Sequence, residues 1–92
     1  MQFTWDESKN RGNIRKHGID FVDVPAMFRL PLVTFLDQRQ EYGEERWIGI
    51  GLLAGLPVVI VFTEPDAATI RIISARKATK HETKIYSDEI AD

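Results

Sequence analysis

TIRIISARKATKHETK, residues 69–84, predicts a β-strand that leads directly into a helix. Its first half alternates with the two-residue period of a strand that is covered on both faces. One face is expected to carry Ile70, Ile72 and Ser74, and the other Arg71, Ile73 and Ala75. Thr79 and Glu82 have the spacing of a capping box, so the helix should begin near Lys80.

The same segment is basic although the chain as a whole is acidic. Five basic residues oppose one acid, which gives a formal charge of +4 in a protein whose net charge is −2. They are Arg71, Arg76, Lys77, Lys80 and Lys84. Arg76 and Lys77 are expected just beyond the strand, where the N–H groups and dipole of the helix N-terminus also favour an anion. Phosphate is the expected ligand, and the alternative is a solvated basic rim.

A second basic segment lies at the N-terminus. Residues 1–19 carry a formal charge of +2, whereas residues 20–68 carry −5. If the fold brings residues 1–19 and 69–84 together, they form one positive face on an acidic protein. Such a face favours a polyanionic partner.

Length and composition indicate an ordinary globular protein. With 92 residues, 43% of them hydrophobic, the chain is expected to form a single domain over residues 1–92. It has no cysteine, which excludes disulfides and thiolate metal sites. The longest uncharged run, residues 47–63, is too short for a membrane span, and the N-terminus lacks the features of a signal peptide. We therefore expect a cytoplasmic protein that does not contact membranes.

The N-terminal third predicts a short strand followed by two helices. Residues 3–5 favour the strand, and Asp6 is expected to cap a helix over residues 7–17. A second helix begins after Asp20, and Pro25 should make it short or bent. Its buried face is expected to consist of Phe21, Val24 and Phe28.

The first predicted helix has little apolar surface to bury. Its two adjacent faces comprise Asn10, Ile14 and His17, and Lys9, Asn13 and Lys16. Because Ile14 is the one apolar residue among them, the helix is either held by other means than apolar burial or shaped for a ligand.

The rest of the chain predicts four consecutive strands and the final helix. The strands cover residues 32–36, 46–53, 57–64 and 69–75. In the second of these, Arg46 should share a face with Ile48, while Gly49 and Gly51 on the other face should let a bulky neighbour or another backbone approach closely. Short links imply an antiparallel meander, so the predicted fold is α+β, with two N-terminal helices and one C-terminal helix in the order β-α-α-β-β-β-β-α.

No metal or other cofactor is expected. The chain has two histidines, His17 and His81, and no pair of histidines on one helix face. For His17, a packed structural role and a functional role are both open. His81 is either a proton acceptor near a helix N-terminus or an exposed residue.

Three segments resemble one known family: FTWDESKNRGNIRKHGIDF at residues 3–21, YGEERWIGIG at residues 42–51 and TIRIISARKATKHE at residues 69–82. In this order they resemble the BrnT toxins of bacterial type II toxin–antitoxin systems over nearly the whole chain. The opening signature W-D-x-x-K-x-x-x-N-x-x-K-H-G is carried by Trp5, Asp6, Lys9, Asn13, Lys16, His17 and Gly18.

The resemblance implies a RelE-like fold and a metal-independent endoribonuclease that inhibits translation. It also implies a hetero-oligomer with a BrnA-type antitoxin, RNA as the substrate, and contact with operator DNA only through the antitoxin. Attack of an RNA 2′-hydroxyl on the adjacent phosphate needs a proton acceptor, a proton donor and cations around the developing charge. The candidate catalytic residues are Lys9, His17, Arg46, Arg71, Arg76 and Lys77.

The roles of these candidates differ. The three arginines and Lys77 would stabilise phosphorane charge, with arginine making bidentate contacts. His17 is the first choice for proton transfer, with Lys9, Tyr42 and His81 as alternatives. Two other functions are compatible with the sequence: a nucleic-acid-binding module without catalysis, and a protein that binds an acidic partner.

Overall fold

The computed structural model describes residues 1–39 and 41–91, and within them it contains one five-stranded sheet and three helices. The strands are β1 (Gln2–Thr4), β2 (Val33–Leu36), β3 (Trp47–Leu53), β4 (Leu56–Asp66) and β5 (Thr69–Lys77). The helices are α1 (Glu7–His17), a 3₁₀ helix (Phe21–Arg29) and α2 (Lys80–Ala91). The α+β class and the order of the elements are confirmed. None of the helices in the described ranges is long and apolar enough to cross a membrane.

The sheet has the strand order β1-β5-β4-β3-β2. Strands β2 to β5 form the predicted antiparallel meander, and β4 lies at its centre. Strand β1 adds to the edge of β5 in parallel, which the meander alone did not predict. Helix α1, the 3₁₀ helix and strands β2 to β4 all lie between β1 and β5 in the sequence, which gives the chain the length that a parallel crossover needs.

The predicted alternation along β5 is wrong after Ile72. The register between β4 and β5 shifts between Ile72 and Ser74, so Ile73 is a bulged residue. Ala75 consequently lies in the core with Ile72, whereas Ser74 and Arg76 face the other side of the sheet. The bulge therefore determines which basic residues of this strand share a face.

The two faces of the sheet are covered differently. One face packs against the 3₁₀ helix, whose Phe21 and Met27 lie in the main core. The other, which we call the open face, carries Ile50 and Val59 and packs there against Tyr86 of α2. The Tyr86 hydroxyl donates a hydrogen bond to the backbone carbonyl of residue 31 at 3.1 Å. Helix α2 thus covers one end of the open face.

The second predicted helix is a 3₁₀ helix capped by Asp20, whose carboxylate accepts a hydrogen bond from the Val22 N–H. Its fully buried residues are Phe21, Val24 and Met27. This spacing of three matches the three residues per turn of a 3₁₀ helix. Phe21 and Val24 were predicted, whereas Met27 was missed and Phe28 only packs against the core, because the prediction assumed the α-helical period. Phe28 is half-buried, and its ring centroid lies 5.2 Å from that of Phe3.

Helix α1 is held mainly by hydrogen bonds from two buried asparagines. The Asn13 amide donates to the Ala75 carbonyl at 2.9 Å and accepts from the Ala75 N–H at 3.2 Å. Asn10 accepts a hydrogen bond from the Phe21 N–H at 2.8 Å. Ile14, by contrast, is exposed. The helix is therefore held by means other than apolar burial, which was one of the two predicted alternatives.

The glycines of β3 admit a bulky neighbour, as predicted. A Cβ atom added to Gly51 would lie 2.7 Å from Leu32 Cδ1, and one added to Gly49 would lie 3.2 Å from Ile60 Cγ1. Because these two positions lack a Cβ atom, the side chains of Leu32 and Ile60 can pack directly against the backbone of β3.

Candidate active site

The junction between β5 and α2 folds around the predicted capping box. Thr79 Oγ1 accepts a hydrogen bond from the Glu82 N–H at 3.2 Å, and Glu82 Oε1 accepts one from the Thr79 N–H at 2.9 Å. The strand, however, extends through Arg76 and Lys77, which were expected beyond its end. Because successive side chains of a strand point to opposite faces, Arg76 and Lys77 are separated.

Arg76 is fixed on the open face by Glu82. Two parallel hydrogen bonds of 2.8 Å join its guanidinium to the Glu82 carboxylate. The Arg76 hydrogen bonds, together with that from the Thr79 N–H, lower the pKa of Glu82 to about 2, and burial opposes this shift only in part. Glu82 is therefore ionised at neutral pH, and it orients Arg76 while neutralising part of its charge.

A cavity of about 220 Å³ opens beside this ion pair. It is lined by Phe35, Arg39, Ile48, Val59, Val61, Ser74, Arg76 and Glu82, and we call it the arginine groove. Arg39 and Arg76 are close enough for the charge of Arg39 to oppose the rise in the pKa of Arg76 that Glu82 causes. Guanidinium groups favour phosphate as a ligand, and here each of the two is also hydrogen-bonded to a carboxylate, that of Asp37 or of Glu82.

Arg39, which was not predicted from the sequence as a site residue, is positioned by a buried carboxylate. Asp37 Oδ1 accepts from Arg39 Nε at 2.8 Å, and Oδ2 accepts from Arg39 Nη2 at 2.7 Å. The Tyr42 hydroxyl donates to the same Oδ2 at 3.2 Å. The hydrogen bonds from Arg39 lower the pKa of Asp37 to about 2. An aspartate two residues before an arginine at the end of a strand was the signal in the sequence for this arrangement.

Tyr42 also contacts Arg46, one of the predicted site residues. The Arg46 guanidinium carbon lies 4.1 Å from the centroid of the Tyr42 ring, within the range of a cation–π interaction. Arg46 Nε lies 3.8 Å from Glu44 Oε1, too far for a hydrogen bond. A chain of contacts thus runs from Arg39 through Asp37 and Tyr42 to Arg46.

Arg46, Thr63 and Arg71 form a second row on the open face. Thr63 lies directly opposite Arg71 in the register, two residues after Val61 of the groove. Arg46 precedes Trp47, the partner of Phe62, and so lies on the other side of Thr63. Thr63 is only 3% exposed. Among the described residues, Arg46 Nε and Thr63 Oγ1 are buried polar atoms without a hydrogen-bond partner.

Buried polar atoms are nearly always satisfied in native structures. Glu44 is the acidic neighbour of Arg46 Nε, and Thr63 lines a cavity with the same glutamate. The register nevertheless places Arg46 and Arg71 on the open face, on either side of Thr63.

Three other predicted site residues lie elsewhere. Lys77 lines a separate cavity of about 570 Å³ together with Gly18 and Val58. His17 is half-buried at the end of α1, next to Gly18. Lys9 is exposed, and its charge and that of Arg71 both act on Asp6. None of these three lines the arginine groove.

Two of the three alternative proton-transfer residues, Tyr42 and His81, are closer to the groove. Tyr42 contacts Asp37 and Arg46 as described. His81 is exposed in the first turn of α2, adjacent in sequence to Glu82 of the groove. His17, the first choice from the sequence, is therefore less well placed than Tyr42.

The acidic middle of the chain gathers at one end of the sheet. A cavity of about 590 Å³ there is lined in part by Glu44, Glu45, Glu64 and Asp66. These carboxylates would repel a phosphate backbone. The acidic end thus leaves the arginine groove as the favoured site for a polyanion.

Comparison with known proteins identifies the family. A family model described as ribonuclease toxin, BrnT, of type II toxin–antitoxin system matches residues 5–82. The chain belongs to the BrnT family. The matched range includes every lining residue of the arginine groove and the Arg46–Thr63–Arg71 row.

A solved BrnT structure has the same fold. The crystal structure of the Brucella abortus ribonuclease toxin, BrnT, superposes with a TM-score of 0.71 at 29% sequence identity. The match covers 87% of this chain and 99% of the Brucella chain. No individual curated protein sequence matches. Membership of the BrnT family makes this chain the toxin type of a type II toxin–antitoxin system, which implies an antitoxin partner.

Proposed function

We propose that this BrnT protein is a metal-independent endoribonuclease that cleaves RNA by attack of a 2′-hydroxyl on the adjacent phosphate and thereby inhibits translation. One observation carries the proposal: four arginines share the open face of the sheet. They are Arg39, Arg46, Arg71 and Arg76. This arrangement fits a reaction in which negative charge builds up on phosphate oxygens.

In the proposed reaction, the arginines stabilise the transition state. Arg39 and Arg76 are held by Asp37 and Glu82, so little reorganisation is needed when charge develops. Guanidinium groups provide bidentate donors to phosphate oxygens, which is the charge stabilisation that a metal ion supplies in other nucleases.

For proton transfer we propose Tyr42, because it contacts Arg46 directly and Asp37, the residue that positions Arg39. A positioned acid or base of this kind contributes about 10²–10⁴ in rate. His81 is the alternative. Lys9, His17 and Lys77 are outside this proposed catalytic set.

The partner we propose is a BrnA-type antitoxin that forms a hetero-oligomer with this protein and inhibits it. In this proposal the toxin contacts operator DNA only through the antitoxin. An antitoxin that covers the arginine groove would inhibit cleavage by excluding RNA.

The test is cleavage of end-labelled RNA by the partner-free protein in EDTA. Products that end in a 2′,3′-cyclic phosphate, with no cleavage of the matching 2′-deoxy substrate, are the expected result. Arg71→Ala should slow cleavage about 100-fold, the effect of removing one transition-state donor. Arg11→Ala, at an exposed position of α1, is the matched control.

A nucleic-acid-binding function without catalysis is the second candidate. The observation that favours it is the lining of the arginine groove, which contains no histidine among the described residues. Tight RNA binding without cleavage, both on free RNA and with translating ribosomes, would support this candidate over the ribonuclease.

A further inference from the structure

Phe35 is the exposed aromatic residue of the open face. Its side chain is 42% exposed on β2. Five other aromatic rings in the described residues pack against one another, as Phe28 does against Phe3 and Phe62. A large apolar ring left exposed in a cationic groove is not explained by the packing of the core.

The surroundings of Phe35 form an apolar floor between two cations. The register places Phe35 opposite Ile48, Ile48 opposite Val61, and Val61 opposite Ser74. These four residues form a row across the sheet and all line the arginine groove. Arg39 and Arg76, the cations of the groove, lie within the same cavity.

The size and chemistry of the groove fit one nucleobase. At about 220 Å³ the cavity is smaller than a pocket for a drug-sized ligand. Proteins that bind single-stranded RNA combine cationic contacts to the backbone with aromatic rings on which bases stack. The groove offers both within a single cavity.

We propose that Phe35 is the base-stacking residue of the ribonuclease site. One unpaired base of single-stranded RNA lies against Phe35 above Ile48 and Val61, and its flanking phosphates contact Arg39 and Arg76. This inference rests on the proposed function, since it names how that site holds its RNA.

The test measures binding of the full-length protein to a single-stranded 2′-fluoro RNA oligonucleotide, which lacks the attacking 2′-hydroxyl. Phe35→Ala should weaken binding about fivefold to a hundredfold, the effect of losing one base–aromatic stack. Phe35→Trp should retain binding. Phe35→Leu should bind as weakly as Phe35→Ala, because it keeps apolar volume but cannot stack. Leu30→Ala, at a residue 50% exposed outside the groove, should bind as the wild type does.

An abasic oligonucleotide of the same length completes the test. Phe35→Ala should bind it as the wild type does, whereas Arg76→Ala should weaken binding of both oligonucleotides. Circular dichroism and the thermal midpoint establish that each variant is folded.

The outcomes separate this inference from the proposed function. Unchanged binding of the base-containing oligonucleotide by Phe35→Ala, with cleavage by the wild type intact, overturns the stacking role alone. A protein that binds neither oligonucleotide and cleaves no RNA overturns both. If Phe35→Ala no longer binds the antitoxin but still binds RNA as the wild type does, Phe35 is a contact for the antitoxin, and this result also overturns the inference.

Discussion

The Asn13 side chain forms two hydrogen bonds with the backbone of Ala75, 62 residues further along the chain. It continues the edge of β5 beyond the point where β1 has ended, and so joins α1 to the strand that carries Arg71 and Arg76. The side-chain amide of Asn13 here forms the hydrogen bonds that the backbone of a longer β1 would form. The fixed position of β5 against α1 therefore depends on one polar residue.

Asn13→Ala is expected to lower the free energy of unfolding by about 3 kcal/mol, because it leaves the buried N–H and C=O of Ala75 unpaired. Ile14→Ala, at the neighbouring and exposed position, should change it by less than about 1 kcal/mol. Urea denaturation of the two variants provides the measurement. Equal losses would mean that the Asn13 hydrogen bonds contribute little.

The Arg76–Glu82 ion pair predicts a loss of stability in acid. The pKa of Glu82 is lowered from its ordinary value of 4.5 to about 2, chiefly by the Arg76 hydrogen bonds. A lowered folded-state pKa means that the pair stabilises the fold fully above pH 4.5, and this stabilisation is lost as the pH falls toward 2.

Because this pair is partly exposed, we expect its contribution to the free energy of unfolding to fall by about 1 kcal/mol between pH 6 and pH 3. The measurement is the difference in urea stability between the wild type and Glu82→Gln at each pH, with Glu89→Gln as the exposed control on α2. Asp37 titrates in the same range but is present in all three proteins, so its effect cancels. A pH-independent difference would argue against the pair as the cause.

Arg76 and Lys77 are neighbours in sequence, but only the substitution of Arg76 should strongly reduce cleavage. Arg76 lines the groove, whereas Lys77 lines the cavity on the other face. Arg76→Ala is expected to lower kcat/KM about 100-fold, as loss of a transition-state donor does. Lys77→Ala should stay within about threefold of the wild type, the small effect expected when no transition-state contact is removed. Initial rates on a single labelled RNA measure both, and comparable losses would contradict the assignment of the site to the open face.

The sequence was sufficient where the determinants were local. The Thr79–Glu82 capping box and the meander of β2 to β5 follow from residues close together in the chain, and both were predicted. The bulge at Ile73 was not predicted, because it depends on how β5 pairs with β4. This one residue decides which side chains of β5 join the groove.

In the candidate site, the position of Arg39 likewise depends on tertiary structure that the local sequence does not determine. Asp37, two residues before it, is the local signal, but this spacing identifies a fixed arginine only once Asp37 is known to be buried. The choice of His17 was based on its chemistry, since histidine titrates near neutral pH. Its distance from the groove depends on the packing of α1 against β5, which only the tertiary structure provides.

Proton transfer by Tyr42 gives the final prediction. Tyr42→Phe removes the hydroxyl that donates to Asp37 but keeps the ring that contacts Arg46. We expect kcat to fall at least about 100-fold, as for loss of a general acid or base, while His17→Asn stays within about threefold of the wild type. Single-turnover cleavage rates at saturating protein measure the chemical step directly. A fully active Tyr42→Phe together with an inactive His81→Asn would move the role to His81, and an inactive His17→Asn would show that α1 reaches the RNA from outside the groove.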